Sequence, residues 1–215
     1  MNILKLNTTL KNLNGPVFLL IRHAERHVIP SGETDHLIKI TVQGRKSAEE
    51  LGRMIGNRLS SVTTSSVPRC LDTSDAIIKG SGNSTMPIDL NWRLGNPGIW
   101  ITDGEAASYE FHNHKINQII RRQVVGENLK GFRPLEEGID IMLDFILGIN
   151  LENDGINVLV SHDAVIAPFI GYLLEISEPE DIIPDFLEGI ILSRTESGIK
   201  AFWRDRWFNI SKGVR

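Results

Sequence analysis

The sequence predicts an α/β protein, a three-layer α/β/α sandwich around a mainly parallel central sheet. Three observations carry that expectation. Two runs, residues 16–21 (Pro-Val-Phe-Leu-Leu-Ile) and 156–160 (Ile-Asn-Val-Leu-Val), are almost continuously apolar, as strands buried on both faces of a parallel sheet are. Around them lie stretches with apolar residues at helical spacing, so strand and helix alternate. The 215 residues, 41% hydrophobic and 23% charged, suffice for a substantial core without disulfide or metal support.

The first strand is expected over residues 16–21, followed by a polar loop to about Lys39. Thr41 offers an N-cap oxygen, and Ala48, Leu51, Met54, Ile55 and Leu59 recur at helical intervals, which predicts a helix to about residue 59. Residues 61–65, rich in Ser, Thr and Val, predict a short strand. Pro68, pre-set for a first helical turn, then opens a helix to about Lys79. Residues 80–133 carry turn signals at 80–84 and in Gly95-Asn-Pro-Gly98, and a helical pattern over about 106–125. Residues 135–151 and 163–174 read as helices flanking the second apolar strand. Near the C-terminus, 189–193 and 199–203 read as strands joined by Thr195-Glu-Ser-Gly198, a hairpin signal. No repeat or linker interrupts the chain. Residues 1–215 are therefore expected to form one domain, with 80–133 as a cap inserted over one sheet edge.

Several function classes are excluded by composition. Lys and Arg number 23 against 27 Asp and Glu, a net charge of −4, so no global positive field draws nucleic acid or an anionic membrane. A single cysteine, Cys70, rules out an internal disulfide framework and a cysteine-rich zinc site. The apolar runs are too short or too interrupted to cross a bilayer. Residues 1–14 mix Lys5, Lys11, Asn and Thr with scattered Leu, unlike a signal peptide; cytoplasmic residence is the resulting expectation. There is no phosphate-binding G-x-x-x-x-G-K-[ST] loop and no G-x-S-x-G elbow, and Gly80-Ser-Gly82 has Thr85 where a dinucleotide fingerprint needs its third glycine. His112 and His114 lack companion ligands and are expected on a solvated helix face, with Arg121 and Arg122 as a surface pair. No metal or cofactor is expected.

The chemistry gathers at strand ends. Arg22-His23-Ala24-Glu25-Arg26 follows the first strand, Ser161-His162-Asp163 follows the second, and the short strand at 61–65 leads into Ser66, Arg69 and Thr73. In an open α/β sheet, ligands bind beyond the carboxyl ends of the strands. Three such ends deliver two histidines, up to three arginines and a carboxylate to one rim. Guanidinium forks match phosphate oxygens, and an imidazole can attack phosphorus. The set reads as a phosphoryl-transfer pocket in which arginines supply the charge that a metal supplies elsewhere. Taken singly, each residue has an ordinary explanation: Asp163 as a helix cap, Arg69 as a surface residue, Glu25 paired with Lys39 or Arg26. Their coincidence at three strand ends favours a site.

The stretch from Leu19 to Arg26 resembles the signature of the histidine phosphatase superfamily, which includes phosphoglycerate-mutase-like enzymes and histidine acid phosphatases. The resemblance extends to Ser65 or Ser66 with Arg69 and Thr73, to His162, and to Ile40-Thr-Val-Gln-Gly44 at the start of the first helix; Ala24 stands where glycine is usual. It implies a phosphoglycerate-mutase-like fold and a phosphatase working through a phosphohistidine on His23. Arg22, Arg69 and His162 would hold the phosphoryl oxygens, and Arg26 would add a further phosphate contact. Asp163 would be the general acid, with Asp103 or Glu105 from the inserted segment as alternatives. The substrate would be a phosphorylated small molecule or phosphoprotein. A phosphomutase, or a phosphate- or phosphopeptide-binding module without turnover, are the competing expectations.

Overall fold

The computed structural model describes residues 9–10, 12–13, 16–28, 37–149, 155–195 and 198–210. Strand β1 (Val17–Arg22) leads to helix α1 (Val42–Ile55), strand β2 (Leu59–Thr64) and helix α2 (Pro68–Ser81). A short strand β3 (Ile88–Leu90) is followed by helices α3 (Gly104–Asn113), α4 (Ile116–Val124) and α5 (Leu135–Gly148). Then come β4 (Ile156–Ser161), α6 (Asp163–Leu174), the single turn α7 (Pro179–Ile182), and β5 (Gly189–Thr195), β6 (Gly198–Trp203) and β7 (Arg206–Ile210).

The strands form one sheet in the order β3-β2-β4-β1-β5-β6-β7. The β3–β2, β2–β4 and β4–β1 pairs are parallel, and β1–β5, β5–β6 and β6–β7 are antiparallel. The apolar runs of β1 and β4 explain the three layers, because alternate side chains of a strand point to opposite faces. Leu19, Ile21, Val158 and Val160 pack with Ala48 and Leu51 of α1 and Ile77 of α2. Phe18, Leu20 and Leu159 pack on the other face with Met142 and Ile146 of α5 and Ile166 and Ile170 of α6.

Local signals set most boundaries. Thr41 Oγ1 accepts from the Gly44 amide at 2.9 Å, Pro68 occupies the first turn of α2, and Asp103 caps α3 by accepting from Glu105 and Ala106. Three expectations are corrected. Leu59 does not end the first helix: α1 stops at Ile55, Gly56 takes φ 57°, and Leu59 opens β2. The helical pattern over 106–125 is two helices, broken at His114 and Lys115, where extended backbone interposes. The sequence pattern does not predict strands β3 and β7, because three residues at a sheet edge and the mixed run Arg-Trp-Phe-Asn-Ile carry little strand pattern of their own.

Since β3 belongs to the sheet, not all of 80–133 lies outside it. Helix α4 packs against α6 and α3 against α4, with Ala107, Ile119 and Ile120 in the same buried cluster as Phe169 and Ile170. Leu151, expected at the end of α5, and Glu196 and Ser197 of the expected hairpin turn lie outside the described residues. No helix among the described residues is long and apolar enough to cross a membrane.

Candidate active site

The parallel register places the two histidines side by side. Arg22 of β1 aligns with Ser161 of β4, and the His23 amide donates to the Ser161 carbonyl at 2.9 Å. His23 and His162 therefore leave adjacent strands at the same level, their ring centroids 5.5 Å apart. Both are buried, as is Arg69 from the first turn of α2.

His23 is held in one tautomer. Its Nδ1 lies 2.8 Å from the Ala24 carbonyl, which has no hydrogen to give, so Nδ1–H donates and Nε2 keeps its lone pair. Arg69 Nε donates to that Nε2 at 3.1 Å. Burial, reinforced by the charges of Arg69, Arg22 and Arg26 against the bond to Ala24, pulls the His23 pKa down to about 3. At neutral pH the ring is an uncharged base with its lone pair directed at a guanidinium.

Arg69 links the two histidines. Its Nη2 lies 3.2 Å from His162 Nδ1; as guanidinium only donates, Nδ1 accepts and the His162 proton sits on Nε2. That nitrogen lies 3.1 Å from Ser65 Oγ and 3.5 Å from Cys70 Sγ. Ser65 and Cys70, which flank the β2–α2 turn, thus orient the second histidine. Burial pushes the Cys70 thiol up to about 12, so it serves here as packing and a weak hydrogen-bond partner.

Arg22 forms the other wall. Its Nη2 lies 2.6 Å from Asp163 Oδ2, its Nη1 donates to the Pro184 carbonyl at 2.9 Å, and its buried Nε–H has no partner among the described residues. Asp163 Oδ1 accepts from the Ala164 amide at 2.8 Å, so both carboxylate oxygens are engaged by donors at the start of α6. His162, not Asp163, is the N-cap residue of that helix. Phe186 lies under the Arg22 guanidinium at 4.5 Å and against the His23 ring at 5.7 Å, with 40% of its surface exposed. Burial lowers the Arg22 pKa, with Asp163 acting in the opposite direction.

The backbone around His23 is fixed by residues that touch neither reacting group. Thr73 Oγ1 donates to the Arg69 carbonyl at 2.7 Å and accepts from the Ala24 amide at 3.0 Å. One hydroxyl thereby ties the helix carrying Arg69 to the loop carrying His23. The Ala24 methyl, in a position where glycine is usual, is fully buried in the core and leaves this link intact. Glu25 binds Thr41 twice, its Oε2 accepting from the hydroxyl at 3.0 Å and its carbonyl from the amide at 2.8 Å, rather than pairing with Lys39 or Arg26. Gly44 is needed in this arrangement, since a Cβ there would stand 2.3 Å from the Glu25 carbonyl oxygen. Gly95 (φ 136°) is needed too: its Cβ would meet the His162 ring at 2.6 Å.

The expected site residues therefore divide. Arg69 bonds His23 and His162, Arg22 pairs with Asp163, and Phe186 lies against both Arg22 and His23. Arg26 donates to the His27 carbonyl and acts on His23 and Arg22 through its charge. Asp103 is spent as the cap of α3, and Glu105 is exposed on that helix. His27 is exposed, while His36 lies outside the described residues. His112 and His114 do not converge, the first bonding Ser108 and the second lying 3.5 Å from Glu110; Arg122 bridges Glu110 and Glu127. Among the described residues no group of three or more His, Cys, Asp or Glu is placed to hold a metal ion. Phe186 and Cys70 carry no sequence signal for these contacts, whereas Ser65 has one in the resemblance that sets Ser65 or Ser66 with Arg69.

Comparison with known proteins bears on the family and the fold. The sequence matches the histidine phosphatase superfamily (branch 1) over residues 18–182. No curated protein matches it in sequence. Among solved structures, it is similar to phosphoserine phosphatase from Entamoeba histolytica in complex with 3-phosphoglyceric acid (TM-score 0.60, 19% identity, 92% of this chain and 99% of that one). It is also similar to a mycobacterial glucosyl-3-phosphoglycerate phosphatase (0.59, 16%, 91% and 96%). A third is phosphoglycerate mutase from Bacillus anthracis str. Sterne (0.57, 15%, 93% and 93%).

Proposed function

As the chain belongs to branch 1 of the histidine phosphatase superfamily, we propose that it is a phosphomonoester hydrolase acting through a phosphohistidine on His23. The observation that carries this reading is the uncharged His23 ring, Nδ1–H fixed on the Ala24 carbonyl and Nε2 facing Arg69. A nucleophile toward phosphorus needs that lone pair, and an anion needs the guanidinium beside it.

In the first half-reaction the Nε2 lone pair forms the N–P bond as the ester P–O bond breaks in line. Arg69 would hold the equatorial oxygens together with His162 and with Arg22, whose own buried Nε–H meets no acceptor among the described residues. Asp163 would protonate the leaving oxygen. For this, Arg22 must turn from Asp163 Oδ2 to the phosphoryl oxygens, releasing the carboxylate to take a proton. In the second half-reaction water attacks phosphorus, Asp163 receives its proton, the N–P bond breaks and inorganic phosphate leaves. The substrate class would be phosphorylated small molecules. The whole chain would act as one domain, with residues 91–133 as a small cap.

The test is release of inorganic phosphate from an aryl phosphate, with an alkaline denaturing quench to preserve the phosphoenzyme and a later acid step to show its lability. Wild type should give an acid-labile phosphoenzyme and His23→Ala neither phosphoenzyme nor turnover. Robust turnover by His23→Ala would end the proposal. Transfer to a second hydroxyl in preference to water would replace hydrolysis with mutase chemistry.

A further inference from the structure

We propose that Arg204, in the turn between β6 and β7, is a positioning residue for Arg22: through Glu188 it holds the segment 183–188 against which the Arg22 guanidinium rests. The inference rests on the reading of Arg22 as a phosphoryl-binding group. Arg22 meets that segment with backbone and side chain alike. Its amide donates to the Glu188 carbonyl at 2.9 Å, and its carbonyl accepts from the Leu187 amide at 3.2 Å. Its Nη1 donates to the Pro184 carbonyl at 2.9 Å, and Phe186 lies 4.5 Å under its guanidinium.

Residues 183–188 belong to no helix or strand, so their shape depends on side-chain bonds. Glu188 Oε2 accepts from the Asp185 amide at 2.9 Å. Glu188 is 4% exposed, and Arg204 binds its carboxylate from both sides, Nε at 3.3 Å from Oε1 and Nη2 at 3.2 Å from Oε2. The same guanidinium donates to the Ile183 carbonyl at 2.8 Å and to the Glu180 carbonyl at 2.5 Å. One side chain thus ties the segment at both ends. The turn itself does not call for an arginine: Arg204 and Asp205 take φ 42° and 70° between the paired residues Trp203 and Arg206, where Asn-Gly or Asp-Gly is the usual choice. A non-glycine residue held in this region points to a role in its contacts.

The anchor on Nη1 decides which edge of Arg22 remains for an anion. Nε and Nη2 lie side by side and match a pair of phosphoryl oxygens. Nε meets no acceptor among the described residues, and Nη2 is held by Asp163, the contact that the proposed mechanism exchanges. Were 183–188 to slacken, Arg22 would keep its charge and lose its aim.

Double-mutant comparisons test this, since residues that act through one another are not additive. Arg204→Lys keeps a positive charge beside the buried Glu188 and loses the planar fork. On 4-nitrophenyl phosphate it should lower kcat about 10-fold, within the roughly 10²-fold that a 1 Å misplacement costs, and raise the Kd of inorganic phosphate several-fold in calorimetry. In an Arg22→Met background the same substitution should change neither quantity, whereas any fall in melting temperature should be equal in both backgrounds. Glu188→Gln loosens the clamp from its buried end without stranding a charge in the core. It should show the same pattern, and it decides the matter if Arg204→Lys does not fold. Wild-type kcat and phosphate affinity in the folded variants, or equal losses with and without Arg22, would assign Arg204 to stability alone and overturn the proposal. Phosphate affinity that responds to Arg204 only when Arg22 is present, in a protein that hydrolyses no ester, would keep the positioning role and remove the phosphatase reading. Hydrolysis and phosphate binding that ignore Arg204 would do the reverse. A wild type that neither binds phosphate nor hydrolyses an ester would end both.

Discussion

Arg69 Nε lies 3.1 Å from His23 Nε2, although the two residues are 46 positions apart in the chain. A single planar group reaches both histidines, Nε toward His23 and Nη2 toward His162 at 3.2 Å. Lysine keeps the charge but lacks the rigid planar fork that holds both contacts in register. Arg69→Lys is therefore expected to fold and to lose about 10²–10³ in kcat, the scale for removing one preorganised donor to developing charge. Steady-state kinetics with an aryl phosphate, alongside a thermal melt, checks this; unchanged kcat would show that the guanidinium geometry is immaterial.

The depressed pKa of His23 has a consequence for stability. The folded ring titrates near 3 and an unfolded one near 6.5, so between these values the unfolded chain binds the extra proton. Stability from this group is complete above pH 6.5 and falls as the solution is acidified toward 3, by about 1.4 kcal/mol per pH unit. From pH 7 to 5 wild type should lose about 2 kcal/mol more than His23→Gln in urea unfolding. Parallel losses in the two proteins would mean that the ring is protonated in the fold.

Thr73 makes a second stability prediction. Thr73→Val keeps the shape but removes the acceptor of the buried Ala24 amide. An orphaned buried donor costs about 1–3 kcal/mol, and the loop holding His23 loses its tie to α2. Urea unfolding should show that loss together with reduced kcat, while Ser74→Ala on the same helix, whose hydroxyl bonds the Cys70 carbonyl, should leave kcat alone.

Much of this arrangement is legible in the sequence because it rests on local rules. The apolar runs at β1 and β4, the cap at Thr41 and the proline at residue 68 each state an element directly, and strand ends in an α/β sheet place His23, Arg69 and His162 together. What is not legible depends on tertiary contact. Phe186 lies in a loop whose composition says nothing of the His23 ring beneath it, and β3 and β7 exist as strands because neighbours offer an edge. The split between α3 and α4 is equally hidden, since the apolar period continues past Lys115 while the backbone does not.

Cys70 sits beside Arg69 and 3.5 Å from His162, a neighbourhood that suggests reactivity. Burial decides otherwise: the thiol has no exposed surface and its pKa is raised to about 12. The thiolate is the reactive form, so iodoacetamide at pH 8 should leave Cys70 unmodified in the native protein, as read by intact mass, and label it fully in urea. Native labelling at the denatured rate would contradict the burial seen here.

Asp163 poses the sharpest mechanistic question. Its oxygens lie 2.6 Å from Arg22 Nη2 and 2.8 Å from the Ala164 amide, so each already has a donor. The carboxylate is therefore either a proton carrier recruited when Arg22 turns to the phosphate, or a fixed counterion that only positions Arg22. Leaving-group dependence separates these roles. A proton donor matters for an alkyl phosphate, whose alkoxide is a poor leaving group, and little for 4-nitrophenyl phosphate. On the mechanism proposed, Asp163→Asn should lower kcat/KM for an alkyl ester by about 10²–10⁴ and for the nitrophenyl ester far less. Equal losses for the two esters would assign Asp163 to positioning Arg22 and leave the proton to another donor.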